Sequence, residues 1–161
     1  MTGVTDSAVT FTVYGRPQPG GSKRHIPIRD GDGHPTGRAV IIDANPKVHD
    51  WRQEIRLAAI HANGNGRFMS GPLALSVRFY LKRPRGHHRT GARAAELRPS
   101  APALPTTQPD ATKLLRALED ALTGVLWRDD AQIVDQHASK RYGDPERVEV
   151  HIASIAEEGL L

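Results

Sequence analysis

Three carboxylates near the C-terminal third of the chain are the residues best suited to chemistry. Asp110 follows Pro109, and the pair Asp129-Asp130 arrives shortly after Gly124. Carboxylates can together hold a hard divalent cation such as magnesium, which prefers oxygen ligands. Each also has a structural explanation: Asp110 is a good helix N-cap, and Asp129-Asp130 suits a turn. Between them lies an amphipathic helix from Asp110 to Thr123, stopped at Thr123-Gly124. At about 100° per residue, Leu114, Leu118, Ala121, Leu122 and Val125 share one face, and Lys113, Arg116 and Asp120 the other. A helix of this length spans about 20 Å. Residues 125–130, nearly extended, reach as far at about 3.3 Å each. They can therefore just fold back and bring Asp130 to Asp110 within one chain; otherwise the site must combine two subunits.

The whole chain sets wider bounds. Its 161 residues predict a single domain, residues 1–161, with enough length for a sizeable core. Hydrophobic content of 38% and charged content of 25% fit a water-soluble globular protein. The absence of cysteine excludes disulfides, thiolate catalysis and cysteine zinc sites. The eight histidines show no metal spacing on one helix, so they read as surface or core residues. No apolar run approaches the roughly 20 residues of a membrane span. The N-terminal MTGVTDSAVTF lacks a signal-peptide pattern, which predicts a cytoplasmic protein with no membrane partner. A net charge of +4 does not imply nucleic acid by itself, but its distribution says more. Residues 82–98 hold six Lys or Arg, including Arg83, Arg85 and Arg89, against the single Glu96. Such a block is easily kept in solvent and suits phosphate contact.

Alternating apolar residues predict strands over residues 8–16, 72–81 and 147–155. Residues 38–43 form a short apolar strand, and 132–142 a further one. A helix starts at Asn45-Pro46 and ends at Gly64, with Trp51 in the core. Residues 17–37 are proline- and glycine-rich and read as loop, carrying Lys23, Arg24 and Arg29. Residues 82–108 have little periodicity and are expected to be a flexible basic loop, long for a compact domain. The tail 156–161 is expected to fray. The sum is an α+β fold, a mixed β-sheet of about five strands with two main helices in the order β-β-α-β-α-β-β.

The stretch around the carboxylates resembles one family, the RusA-type Holliday junction resolvases, small endodeoxyribonucleases often carried by prophages. Their signature is Pro-Asp-x-Asp, Leu-x-(Lys/Arg)-Ala, Asp-Ala-Leu-x-Gly, an aromatic residue and Asp-Asp-x-Gln-(Val/Ile). It appears here as Pro109-Asp110, Lys113-Leu114, Arg116-Ala117, Asp120 to Gly124, Trp127, Asp129-Asp130 and Gln132-Ile133. The close match covers about 25 residues. The remainder matches loosely, through Gly15, Pro17, Lys23 and Arg24 early and Lys140, Tyr142 and Gly143 late.

The resemblance implies a RusA-like fold and a homodimer acting on branched DNA. It implies a magnesium-dependent enzyme of recombination and repair, with manganese as the other candidate, that resolves four-way junctions by paired phosphodiester hydrolysis. Asp110, Asp129 and Asp130 would be the catalytic, metal-holding carboxylates. Arg116 would contact the scissile or a neighbouring phosphate, and Lys113, Lys23, Arg24, Lys140, Arg83, Arg85 and Arg89 the DNA. Arg116 has a bland alternative, an i,i+3 or i,i+4 pair with Glu119 or Asp120. The second Asp of Asp-x-Asp is Thr112, a weak ligand without charge, so a branched-DNA binder that cuts poorly is the alternative. Asp135 is a candidate to supply the missing charge. Asp120, late in the helix, reads as structural.

Overall fold

A computed structural model describes residues 7–156. The expectations for the first residues and for the tail beyond 156 fall outside the described residues. Six strands and two α-helices follow the order β1 (Ala8–Tyr14), β2 (Lys23–Arg29), β3 (Pro35–Asp43), α1 (Val48–Asn63), β4 (Leu73–Leu81), α2 (Ala111–Leu122), β5 (Ile133–Tyr142), β6 (Arg147–Ser154). The fold is α+β, as expected. A mixed four-stranded sheet has the order β1-β6-β4-β5, and β2-β3 forms a separate two-stranded ribbon. The antiparallel neighbours are β1-β6 and β6-β4, whereas β4 and β5 run parallel. A parallel pair needs a crossover, and α2 supplies it.

The alternation in the sequence is the alternation in the sheet. Leu73, Leu75, Val77, Phe79 and Leu81 of β4 are buried, with Val9, Phe11 and Val13 of β1 and Val148, Val150 and Ile152 of β6 beside them. Both helices cover that face: α1 packs on α2 and β1, and α2 on β4 and β5. Leu114, Leu118, Ala121 and Leu122 are fully buried, as the helical wheel requires. Trp51 is buried, the core role expected of it.

The largest difference is β2. Residues 23–29 form a strand where a loop was expected, and every residue of it is exposed. Helix α1 begins at Val48, a little later than Asn45-Pro46. Asn45 still anchors the entry, its Oδ1 accepting from the Lys47 amide at 3.1 Å. Residues 82–108 contain no strand or α-helix but do carry two short 3-10 turns, Arg85–His87 and Gly91–Arg93. Backbone bonds from Arg89 to Glu96 and from Arg98 to His87 tie these turns together. Among the described residues no helix is long and apolar enough to cross a membrane.

Candidate active site

Asp110 occupies the N-cap position of α2, with extended φ −70° and ψ 138°, but its side chain makes no cap hydrogen bond. The expected capping role is therefore not realised. Its carboxylate is 54% exposed, 3.8 Å from Lys113 Nζ, and borders a hollow of about 400 Å³. Three bonds position it from outside the helix. Lys140 Nζ donates to the carbonyls of Thr107 (2.8 Å) and Pro109 (3.0 Å), fixing the strand-like approach to Asp110. The Gly20 amide donates to Lys113 O at 2.9 Å, tying the loop after β1 to the first turn. A Cβ on Gly20 would come within 3.1 Å of both Ala117 Cβ and Arg52 Nη2, so the close approach depends on glycine.

The far end of α2 is built differently. Residues 125–130 do not fold back along the helix. The amides of Val125 and Leu126 both donate to Leu122 O, and Gly124 donates to Trp127 O, closing a compact turn. Trp127 is fully buried, and its Nε1 donates to Thr123 Oγ1 at 3.0 Å. The motif aromatic is thus a core anchor for the turn. A 3-10 turn from Asp130 to Gln132 follows, with Asp129 as its cap. Asp129 Oδ1 accepts from the Ala131 amide at 2.9 Å. Gln132 is the staple: Oε1 accepts from the amides of Arg128 and Asp129, and Nε2 donates to the carbonyls of Met69 and Gly71. Asp130 itself is exposed and has no hydrogen-bond or ion-pair partner among the described residues.

These details place Asp110 and Asp130 at opposite ends of α2. Strand β5 runs back along the helix, with Gln136 Nε2 bonded to Glu119 Oε1 and Lys140 bonded at Pro109. Asp130 precedes β5 and lies beyond Glu119, which is itself about 13 Å along the helix from Asp110 at 1.5 Å per residue. Among the described residues no three His, Asp or Glu side chains gather as a metal site. Of the two arrangements the sequence left open, folding back within one chain is not the one adopted: the tight turn at Gly124 keeps Asp129 and Asp130 at the far end of α2 from Asp110. Asp135 pairs with Ala74, on the sheet face away from α2. It cannot stand in for Thr112, which lies exposed in the first turn of the helix.

The carboxyl beside Asp130 is Glu119, expected from the sequence only as an ion-pair partner of Arg116. Burial pushes its carboxyl up. The charges of Asp130 and Asp120 push the same way, while the bond from Gln136 and the charge of Arg116 oppose them. Arg116 is exposed and forms no ion pair among the described residues. Asp120 turns instead to Arg52 Nη2 at 2.9 Å. Arg52, only 9% exposed, also bonds Asp43 through Nη1 at 3.2 Å. Asp43 accepts from Lys23 Nζ at 2.6 Å, and that bond, then Arg52, holds its carboxyl below the usual range against the opposing effect of burial. This chain of charges locks the ribbon, α1 and α2 together, and it makes Asp120 structural, as expected. Nothing in the local sequence distinguishes Arg52 from the other cations of α1.

The remaining cations divide. Lys23 and Lys140 are committed to Asp43 and to backbone carbonyls. Arg83 donates to Pro102 O and lies over the Tyr142 ring at 4.2 Å, and Arg89 stands 3.5 Å from Glu96. Arg24 and Arg85 have no side-chain partner among the described residues and sit on the surface.

Comparison with known proteins decides the family. The model of the family Endodeoxyribonuclease RusA matches residues 31–153. The chain belongs to the RusA endodeoxyribonuclease family. A relative named Uncharacterized protein YqaN, from Bacillus subtilis (strain 168), is 30% identical over 148 residues, covering 92% of this chain and 97% of its own. The RusA match spans both ends of α2, so the uncapped Asp110 and the stapled Asp129-Asp130 turn both lie within the matched residues.

Proposed function

We propose that this RusA-family chain is a magnesium-dependent endonuclease that resolves four-way DNA junctions, with manganese as a second usable cation. The observation that carries the reading is Asp110: its carboxylate stands at the positive end of a helix yet leaves the cap unmade, facing an open hollow. A carboxylate held out of its ordinary structural role on a rigid helix end is available as a ligand. The donors suit a hard cation by type, being carboxylate oxygens and the Thr112 hydroxyl. Such a cation offsets phosphate charge and acidifies a bound water.

By number, one chain falls short, because Asp110 with Thr112 and Asp130 with Asp129 sit at opposite ends of α2. The set is therefore completed by a second copy, Asp110 of one subunit meeting Asp130 of its partner. A two-fold dimer then carries two equivalent sites, matching the two strands cut in a four-way junction. Arg116, unpaired on the outer face between the two ends, contacts phosphate.

The test is a labelled four-way junction beside a matching linear duplex, each with magnesium and with EDTA, and with Asp130→Asn as control. Paired nicks confined to the junction, requiring metal and lost in the variant, are the expected result. Cutting of the linear duplex at an equal rate would overturn junction selectivity, and cutting in EDTA would overturn the metal dependence. Thr112 favours a second reading, a branched-DNA binder without cleavage; tight junction binding and no cutting under either cation would select it.

A further inference from the structure

Two hollows of about 400 Å³ each lie on either side of the Gln108-Pro109 approach to Asp110. The first contains Asp110, Lys113 and Asp43, the last already paired with Lys23 and Arg52; the second contains Lys82, Arg83, Arg85 and Glu146. Arg16, Gln108 and Pro109 line both, so the two hollows adjoin as a groove divided at Arg16. The Arg16 side chain has no hydrogen bond or ion pair among the described residues, and it is exposed. Its backbone, by contrast, is held on both sides. The Gly15 amide donates to Glu146 O at 3.0 Å, and Gln18 Nε2 donates to Arg16 O at 3.2 Å. Gln18 is in turn held by Asn45 Nδ2 at 3.0 Å. Gly15 adopts φ 131°, a conformation other residues rarely take, and lies against Trp51. The backbone of the loop is tied down while the guanidinium it carries is uncommitted.

We infer that this groove is the track of a DNA strand leaving the candidate catalytic carboxylate, and that Arg16 is its phosphate-positioning residue. The inference rests on the nuclease reading only for its direction, from Asp110 outward. The charges support a polyanion: Lys82, Arg83 and Arg85 face Glu146 alone in the outer hollow, and Arg16 adds a fourth cation at the divide. A guanidinium is suited to phosphate because its planar fork donates to two oxygens at once. Backbone phosphate contacts fix register without reading bases, so the track serves any sequence at the branch.

Arg16→Ala, Arg16→Lys and Arg85→Ala are compared with the wild type for junction and linear-duplex binding in EDTA, from low to moderate salt. Removing one phosphate contact lowers the slope of log K against log salt by about 0.9 and weakens binding several-fold. Arg16→Ala and Arg85→Ala each show that loss, Arg16→Lys recovers the slope, and in magnesium KM rises with kcat retained. Wild-type affinity and slope in Arg16→Ala, with unchanged melting, would overturn the track; so would a fall in kcat with binding intact. If the wild type binds DNA without cutting it, the nuclease reading fails while the slopes still decide the track. If it binds no DNA, both fall.

Discussion

Gln132→Glu is the substitution that separates the staple from the acids it supports. Glutamate keeps the shape and keeps an oxygen to accept from the Arg128 and Asp129 amides, now at 3.0 and 3.2 Å from Oε1. It loses both donor bonds, to Met69 O at 3.1 Å and Gly71 O at 3.2 Å, and sets a carboxylate against those carbonyls. Each lost bond costs about 1 kcal/mol net, and repulsion adds to it, so about 2–3 kcal/mol is expected. For a chain of this size that lowers Tm by roughly 5–10 °C. The turn carrying Asp130 loses its tether to the segment before β4, and a displacement of about 1 Å costs up to about 100-fold in cleavage. Junction binding in EDTA should be unaffected. Thermal unfolding followed by circular dichroism, with single-turnover cleavage, reads both effects. Unchanged melting with unchanged cleavage would refute the reasoning.

Asp43→Asn should destabilise the protein at neutral pH. The wild-type carboxyl titrates below its ordinary 3.8, so its contribution is present above that value and lost as pH falls through the lower folded one. The gap between the two proteins should close in acid, and a pH-independent gap in urea unfolding would contradict the account. Glu119→Gln should act with the opposite sign. The wild-type carboxyl is raised above its ordinary 4.5, so the folded state is penalised as pH rises through the raised value. The variant should match the wild type below pH 4.5 and be more stable at neutral pH; unfolding titrations at both ends check this. Thr112→Asp should add a charged donor beside Asp110 and raise cleavage at low magnesium, with the half-saturating concentration falling; no change would show that another group already supplies the ligand.

The elements with one buried face were legible because burial leaves a period. β1, β4, β6 and α2 alternate or repeat as their cores demand, and β5 was placed within a residue of its start. β2 was not legible, because a ribbon exposed on both sides imposes no apolar alternation, and Pro27 with the surrounding glycines reads as loop. The strand forms through pairing with β3, a long-range fact. At the candidate site the motif carboxylates stand out in the sequence, but which of them can meet in one chain does not. Reach alone allowed residues 125–130 to fold back; the buried Trp127 and the Leu122 carbonyl decide otherwise. Arg52 and Glu119 carried no local mark, since their roles come from partners 68 and 17 residues away. Asp110 kept its predicted place but not its predicted bond.

The most direct test of the shared site mixes two inactive variants. Asp110→Asn and Asp130→Asn are unfolded and refolded together at equal concentration, and junction nicking is measured against each alone. If the carboxylates meet across a two-fold, about half of the dimers are mixed and each holds one intact site of two, so nicking recovers to about a quarter of the wild-type rate. If both carboxylates served one subunit, every site in the mixture would lack one, and nicking would stay at the level of the separate variants.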